Sequence, residues 1–511
     1  MPPTASPRCS WTERDTARGT AAFPDRSRVA AFDGNQRRAY GSSMIIANEH
    51  RAAATTATIR SPYDGAEIGT HPLASAADMD AALAANVAAS DACRRLPAYE
   101  RAACLRRVAD GLDAKRAAVA TLLAREAGKP LAQARLEVDR AIFVFRDGAE
   151  EATRIGGEVL PLDVLPAGRG RLGFTRRFPL SPVAAITPFN FPVLLAAHKI
   201  APAMACGAAV TLKPPPQDPL AALMLGDLVA ASGYPSGGVN IVPCELDVAR
   251  RLVADHRVRM ISFTGSARAG WAIRADAGTK RVSLELGGNA GVIVEPDADL
   301  ARAVEACTAG GYSYAGQSCI SVQRILVHER VYAEFLDAFA ARVGALKAGD
   351  PLDPSTDVGP MIDEAAARRA ESWIAEAARD GATIVTGGGR HGAVLEPTVL
   401  AGTRPDHRVN CEEVFAPVTT VTAYRAFDEA LDLVNASPYG LQAGIFTRDV
   451  SKLMRAWDRL EVGGVMGNEV PTWRMDRMPY GGAKASGLGR EGVRYAIEEM
   501  TEVRLLTLHS E

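Results

Sequence analysis

Met260-Ile261-Ser262-Phe263-Thr264-Gly265-Ser266-Ala267-Arg268-Ala269-Gly270 runs from an apolar strand end, through a glycine turn, into a helix. A glycine there lets the backbone approach a phosphate, and the helix start supplies unpaired N–H groups and a positive dipole end. The spacing is not G-x-G-x-x-G, so an ordinary dinucleotide fingerprint does not follow from it. Working outward, strand-like runs stand at Val183–Ile186, Ala209–Leu212, Asn240–Val242, Met260–Phe263 and Gly291–Val294, with helical runs between them. That alternation predicts βαβ crossovers and a largely parallel sheet. A second α/β stretch runs from Leu300 to about Met478, with strands near Ile325–Val327, Thr383–Thr386, Thr419–Ala423 and Gly444–Phe446.

Upstream the pattern is helical from Ser75 to Gly156. Ser75-Ala76-Ala77-Asp78 has the form of a capping box and opens one helix. Leu105, Val108, Leu112 and Val119 form an apolar stripe, and Leu136 to Ile155 reads as a further long helix. Before these, Ser61-Pro62-Tyr63-Asp64-Gly65 marks a turn between short strands. Arg171 to Pro179 alternates like a strand.

With 511 residues and 47% hydrophobic content, the chain has ample material for a large core and too much for one ordinary domain. A net charge of -2 gives no electrostatic footprint for nucleic acid, and no apolar run is long enough to span a bilayer. The eight cysteines include no C-x-x-C pair and the histidines no H-E-x-x-H, so no metal site is expected. Small buried hydrophobes in a reducing, cytoplasmic setting account for most of those cysteines. Residues 1–43 lack an apolar signal core, and Glu13, Asp15, Asp25 and Asp33 argue against a transit peptide. A disordered extension over 1–44 is expected, with Met44 as an alternative start.

Two further segments carry possible chemistry. In Leu284-Glu285-Leu286-Gly287-Gly288-Asn289 the carboxylate is either a solvated strand end or one entering a tight, partly apolar place, where a raised pKa suits a general base. In Gly316-Gln317-Ser318-Cys319-Ile320-Ser321 the cysteine is either core or a nucleophile, and a nucleophile needs a base and an oxyanion donor.

From about residue 58 to the end, the chain resembles the aldehyde dehydrogenase superfamily. The motifs occur in the family's order: Thr187-Pro188-Phe189-Asn190-Phe191-Pro192, Leu212-Lys213-Pro214, Phe263-Thr264-Gly265-Ser266, Leu284 to Gly288, Gly316 to Cys319, Glu412-Glu413-Val414-Phe415-Ala416-Pro417, Pro479-Tyr480-Gly481-Gly482, and Ser486 to Glu491. Cys319 follows Glu285 by 34 positions, the family's interval.

The resemblance implies a thioester on Cys319, an oxyanion held by Asn190 and the Cys319 N–H, and water activated by Glu285. For NAD or NADP it implies contacts from Lys213, Gly265, Ser266, Glu413, Phe415 and Pro188. The presence of Glu285 favours hydrolysis over acyl transfer to coenzyme A. The alternative of an inactive structural homologue would be expected to have lost Cys319, Glu285 or Asn190. One departure concerns the cofactor. Pro216 stands three residues after Lys213, where NAD-preferring members carry a glutamate. A carboxylate there would repel a 2′-phosphate, so NADP use is expected.

Phe191, Leu194 and His198 stand where the family lines its aldehyde channel. Arg140 and Arg474 are candidates for clamping a short anionic aldehyde, although Ser318 rather than an arginine precedes the cysteine. The plainer account pairs Arg140 with Glu137 on a wet helix face and leaves Arg474 in a surface loop.

The expected fold is α/β, with a Rossmann-like cofactor domain (45–165 and 185–290) and an α/β catalytic domain (291–478). A small β oligomerisation element (166–184 and 496–511) would pair its edges with another subunit, giving a homodimer or homotetramer. The expected partner is a small aldehyde, with no nucleic acid and no membrane.

Overall fold

A computed structural model describes residues 43–509. The expected disordered extension, up to residue 42, and Cys9 within it lie outside those residues.

Two large sheets organise the molecule. The first has eight strands, in the order Glu49–Arg51, Met44–Ile46, Val239–Ile241, Val210–Lys213, Val183–Ile186, Met260–Thr264, Arg281–Glu285, Gly487–Leu488. Its five central strands are parallel, as the βαβ reading requires. The chain enters at Val183–Ile186, builds two strands to one side, and then crosses to Met260–Thr264 on the other. The connections leaving those two strands therefore diverge, opening a crevice at their carboxyl ends. Ligands bind at such a switch point in open α/β sheets.

The burial pattern explains why the strands read as apolar runs. Val183 and Ala185 face one hydrophobic cluster, while Ala184 and Ile186 face another across the sheet. Both faces of the sheet are covered, so the period-2 alternation is apolar on both sides. The second sheet has seven strands, in the order Thr383–Thr386, Thr398–Ala401, Val418–Tyr424, Val322–His328, Ala290–Val294, Gln442–Phe446, Gly464–Gly467.

Local signals set the helix starts where they were strong. Ser75 caps helix Ala76–Arg95: its hydroxyl accepts from the Asp78 N–H, and the Asp78 carboxylate accepts from the Ser75 N–H at 2.8 Å. The expected helix at 136–155 instead spans Leu131–Glu151. Its start is fixed by a tertiary contact, the Leu131 N–H donating to the Pro351 carbonyl, which has no local signature.

A small three-stranded antiparallel sheet joins Thr501–His509, Arg171–Pro179 and Val159–Pro161. Some expected boundaries shift. Met44 lies in a strand and is fully buried, Val159–Pro161 joins the small sheet, and Gly487–Leu488 returns to edge the first sheet beside Glu285. Among the described residues no helix is long and apolar enough to cross a membrane.

Candidate active site

A cavity of about 650 Å³ opens where the first sheet's switch point meets the second sheet. The Cys319 thiol, the Glu285 carboxylate and the Asn190 amide all line it. Three long-range arrangements bring them together.

Cys319 follows a backbone turn that few sequences tolerate. Tyr314, Ala315 and Gly316 have φ of 48°, 52° and 66° in succession. Such conformations cost energy outside glycine and persist when neighbours hold them. Here the Tyr314 N–H donates to the Gln133 side chain at 2.6 Å, and the Tyr314 hydroxyl donates to the Ala127 carbonyl at 2.7 Å. A Cβ on Gly316 would stand 2.1 Å from the Ala416 carbonyl oxygen, so glycine is required there. The turn leaves Cys319 half-buried. Among the described residues its backbone N–H has no acceptor, so it is free to bind an oxyanion. Burial pushes the thiol up to about 12, and a hydrogen bond to Tyr480 works against that. The Cys319 Sγ lies 2.8 Å from the Tyr480 hydroxyl.

Asn190 ends the turn after Val183–Ile186, just before helix Pro192–Cys206. That helix starts on Glu137, whose carboxylate accepts the Val193 and Leu194 N–H groups at 3.0 and 3.2 Å. Lys129 pairs with Glu137 and also donates to the Asn190 carbonyl at 2.8 Å. The Asn190 side-chain N–H₂ donates to the Gln317 carbonyl at 3.0 Å. An amide nitrogen carries two N–H donors, so one remains.

Glu285 is the last residue of strand Arg281–Glu285 and is 3% exposed. Both its carboxylate oxygens are buried without a hydrogen-bond partner among the described residues. Burial raises its pKa well above the usual carboxylate range, and repulsion from Glu491 adds to this; Arg474, Lys199 and Arg490 pull the other way. Glu491 takes the opposite path. Burial opposes its charge, but Lys199, His198 and Arg474 hold it below the usual range. Two neighbouring carboxyls driven apart in this way mark a site able to hold one proton and lack another.

The same cavity fits a dinucleotide. Thr264, Gly265 and Ser266 line it at the start of helix Ala267–Asp276, where Ser266 is the N-cap. A Cβ on Gly265 would stand 2.5 Å from the Phe263 ring, so only glycine leaves the backbone open there. Glu413 accepts the Gly288 N–H at 2.9 Å, and burial pushes its carboxyl up to about 7. Phe415, at φ 52°, meets Phe189 edge-on at 5.8 Å. Pro188 completes this wall. Lys213 does not line the cavity; it ends the adjacent strand, beside Ile186. Pro216 follows on an exposed turn.

Phe191 and Leu194 form part of the cavity wall and His198 does not. His198 is buried, and its Nε2 is spent on Asp476 at 3.0 Å, so its expected place on the channel is corrected. Both arginines line the cavity, and both plainer accounts of them fail. Arg140 does not pair with Glu137, which Lys129 holds. Its Nε and Nη2 form a fork onto Asp476 at 2.9 and 2.7 Å. That pairing corrects the expectation of Arg140 as a free half of an anion clamp. Arg474 is 6% exposed rather than on the surface. Its Nη2 lies 3.4 Å from Glu491 and 3.2 Å from His198, and its Nε is buried without a hydrogen-bond acceptor among the described residues.

Sequence reading missed Lys199, Asp476 and Tyr480 as parts of this site. Lys199 had a signal: it is the one lysine or arginine in the apolar run Val193 to Met204. A buried cation in such a run needs a carboxylate, here Glu491 at 3.1 Å.

Comparison with known proteins finds relatives along most of the chain. The model of the aldehyde dehydrogenase family matches residues 49–506. The chain is 43% identical to 3-sulfolactaldehyde dehydrogenase of Priestia aryabhattai over 412 residues, covering 80% of this chain and 86% of that one. Aldehyde dehydrogenase 21 from Physcomitrella patens, in complex with the reaction product succinate, superposes with a TM-score of 0.91 at 40% identity, covering 92% of this chain and 98% of that one. A glyceraldehyde-3-phosphate dehydrogenase from Methanocaldococcus jannaschii, complexed with NADP, superposes at 0.86 with 38% identity, covering 89% and 99%.

Proposed function

Because the chain belongs to the aldehyde dehydrogenase family, we propose that Cys319 is its nucleophile, Asn190 its oxyanion donor and Glu285 the base for hydrolysis. It is an NAD(P)-dependent enzyme that oxidises an aldehyde to a carboxylate. The observation that carries the division of labour is the convergence of a half-buried thiol, a spare amide donor and an unpartnered buried carboxylate on one cavity. The thiolate adds to the aldehyde carbon, and the Cys319 N–H and the Asn190 amide take the developing oxyanion. When bound, the dinucleotide supplies the hydride acceptor that leaves the acyl group on sulfur as a thioester. Gly265, Ser266, Glu413, Phe415 and Pro188 would hold it, and Lys213 would reach its adenosine end. Glu285 then takes a proton from water as that water attacks the thioester, and the carboxylate leaves as the Cys319 sulfur departs. Because Glu285 is present, hydrolysis rather than transfer to coenzyme A completes the cycle.

We also read the substrate as a short anionic aldehyde. Arg474 supports this reading more than Arg140 does, since Asp476 already occupies the fork of Arg140. Arg474 lines the cavity, and its guanidinium has the chemistry to meet a carboxylate, sulfonate or phosphate group there. The matched relatives named for sulfolactaldehyde and for a succinate product act on anionic compounds of this size. Initial rates for anionic and neutral aldehydes of similar length, with NAD+ and with NADP+, test it through absorbance of the reduced nicotinamide. Arg474→Leu is expected to lower kcat/KM on the anionic aldehyde by about 1.5 to 3 kcal/mol, one to two decades, more than on the neutral one. Equal loss on both would reduce Arg474 to a packing role.

The cofactor loop gives a separate expectation. With Pro216 in place of a glutamate, NADP+ is accepted at a measurable rate. Pro216→Glu introduces a charge that repels a 2′-phosphate and is expected to raise KM for NADP+ about tenfold relative to NAD+. A wild type that rejects NADP+ altogether would overturn this account of the loop.

Strand Thr501–His509, at the edge of the small sheet, exposes Val503 and Leu505 on one face and Leu506 and Leu508 on the other. An exposed apolar edge of this kind supports a homo-oligomer in which a second copy covers it.

A further inference from the structure

We propose that the Tyr480 phenol is a catalytic hydrogen-bond donor to the thiolate form of Cys319 and sets how readily that thiol ionises. This rests on the reading of Cys319 as nucleophile.

The geometry carries it. The Tyr480 hydroxyl lies 2.8 Å from the Cys319 Sγ, and among the described residues that sulfur is its only hydrogen-bond partner. The residue is 3% exposed, and a buried phenol needs a partner. Either atom can donate while both carry a proton, but a thiolate has none to give, so in the reactive form the phenol is the donor. Its position is held from both sides. The Tyr480 N–H donates to the Glu491 carbonyl at 3.0 Å, and the Arg474 guanidinium carbon lies over the ring at 3.6 Å from its centre. Cys319, Ile320 and Leu441 pack against the same ring.

The electrostatics call for such a donor. The titratable and charged groups facing Cys319 are Tyr480, Glu413, Arg474 and Glu285. Burial disfavours the thiolate, and Glu413 and Glu285 repel it. Arg474 and the Tyr480 hydroxyl favour it, and of these only Tyr480 touches the sulfur. The phenol stays protonated through the working pH range, because burial and the neighbouring thiol raise its own pKa well above the usual value. A thioester sulfur is a far weaker acceptor than a thiolate. The bond therefore loosens on acylation and reforms as sulfur leaves in hydrolysis, stabilising charge where it develops.

The test is the pH dependence of alkylation of Cys319 by iodoacetamide in the full chain, with the modified peptide identified by mass spectrometry. Tyr480→Phe removes the hydroxyl and keeps the ring. Its alkylation at pH 7 is expected to fall about tenfold or more, converging with the wild type at high pH where both thiols are ionised. Tyr480→Leu, which also lacks a donor, is expected to show the same shift and guards against a fold defect particular to one variant. Superimposable profiles for wild type and Tyr480→Phe, or faster alkylation in the variant, would overturn the proposal. Cys319→Ala separates the two levels of inference. If it retains turnover, the nucleophile reading fails. If it is inactive while Tyr480→Phe alkylates like the wild type, only the role of Tyr480 fails.

Discussion

Cys319→Ala is expected to lower kcat by about four orders of magnitude or more while leaving NAD(P)+ binding intact. The size follows from the site. Without the sulfur there is no covalent acceptor for the acyl group, and the remaining oxyanion donors have no adduct to stabilise. Cofactor binding is expected to survive because Gly265, Ser266 and Glu413 come from other segments, and replacing a half-buried thiol with a methyl disturbs none of their contacts. Fluorescence titration with the reduced cofactor, beside steady-state rates, reads both quantities. Substantial turnover in the variant would remove Cys319 from the mechanism.

Glu285→Gln is expected to slow turnover by about 10² to 10⁴-fold and to leave the first hydride transfer in place. Only deacylation needs an activated water, so one equivalent of reduced nicotinamide should form in a burst and the acyl group should stay on Cys319. Mass spectrometry of the quenched enzyme would show it. The pH dependence carries a sign. A base works only when unprotonated, and the Glu285 carboxyl is raised by its burial and by Glu491. Deacylation in the wild type should therefore fall as pH drops through a value above the ordinary carboxylate range, and this limb should vanish in the variant. A variant that loses the burst and traps no acyl group would place Glu285 before hydride transfer instead.

The arginine results show where local reading stops. At i, i+3 spacing Glu137 was the nearest acid to Arg140, yet the partner is Asp476, 336 positions away. Glu137 turns inward because the start of helix Pro192–Cys206 needs its carboxylate, and Lys129 neutralises it. His198 stood at helical spacing from the channel residue Leu194, but packing sends its ring to Asp476. Side-chain spacing gives a helix face, and only the packed neighbours decide which acid or base meets it.

By itself the sequence determined the elements whose signals are local. Alternating strands and helices dictated the parallel sheets, Ser75 and Asp78 the first long helix, and Gly265 the opening of the backbone before helix Ala267–Asp276. The ordered motifs also singled out Asn190, Glu285 and Cys319, which the fold brings to one cavity. Tertiary structure alone decided the electrostatic state of those groups. Whether Glu285 is solvated or buried without a hydrogen-bond partner, whether Arg474 lies on a surface loop or beside His198, and whether a phenol touches the Cys319 sulfur depend on segments more than a hundred residues apart. Burial and charge pairing act through space at a few ångströms, and no pattern along the chain records which distant side chains come that close.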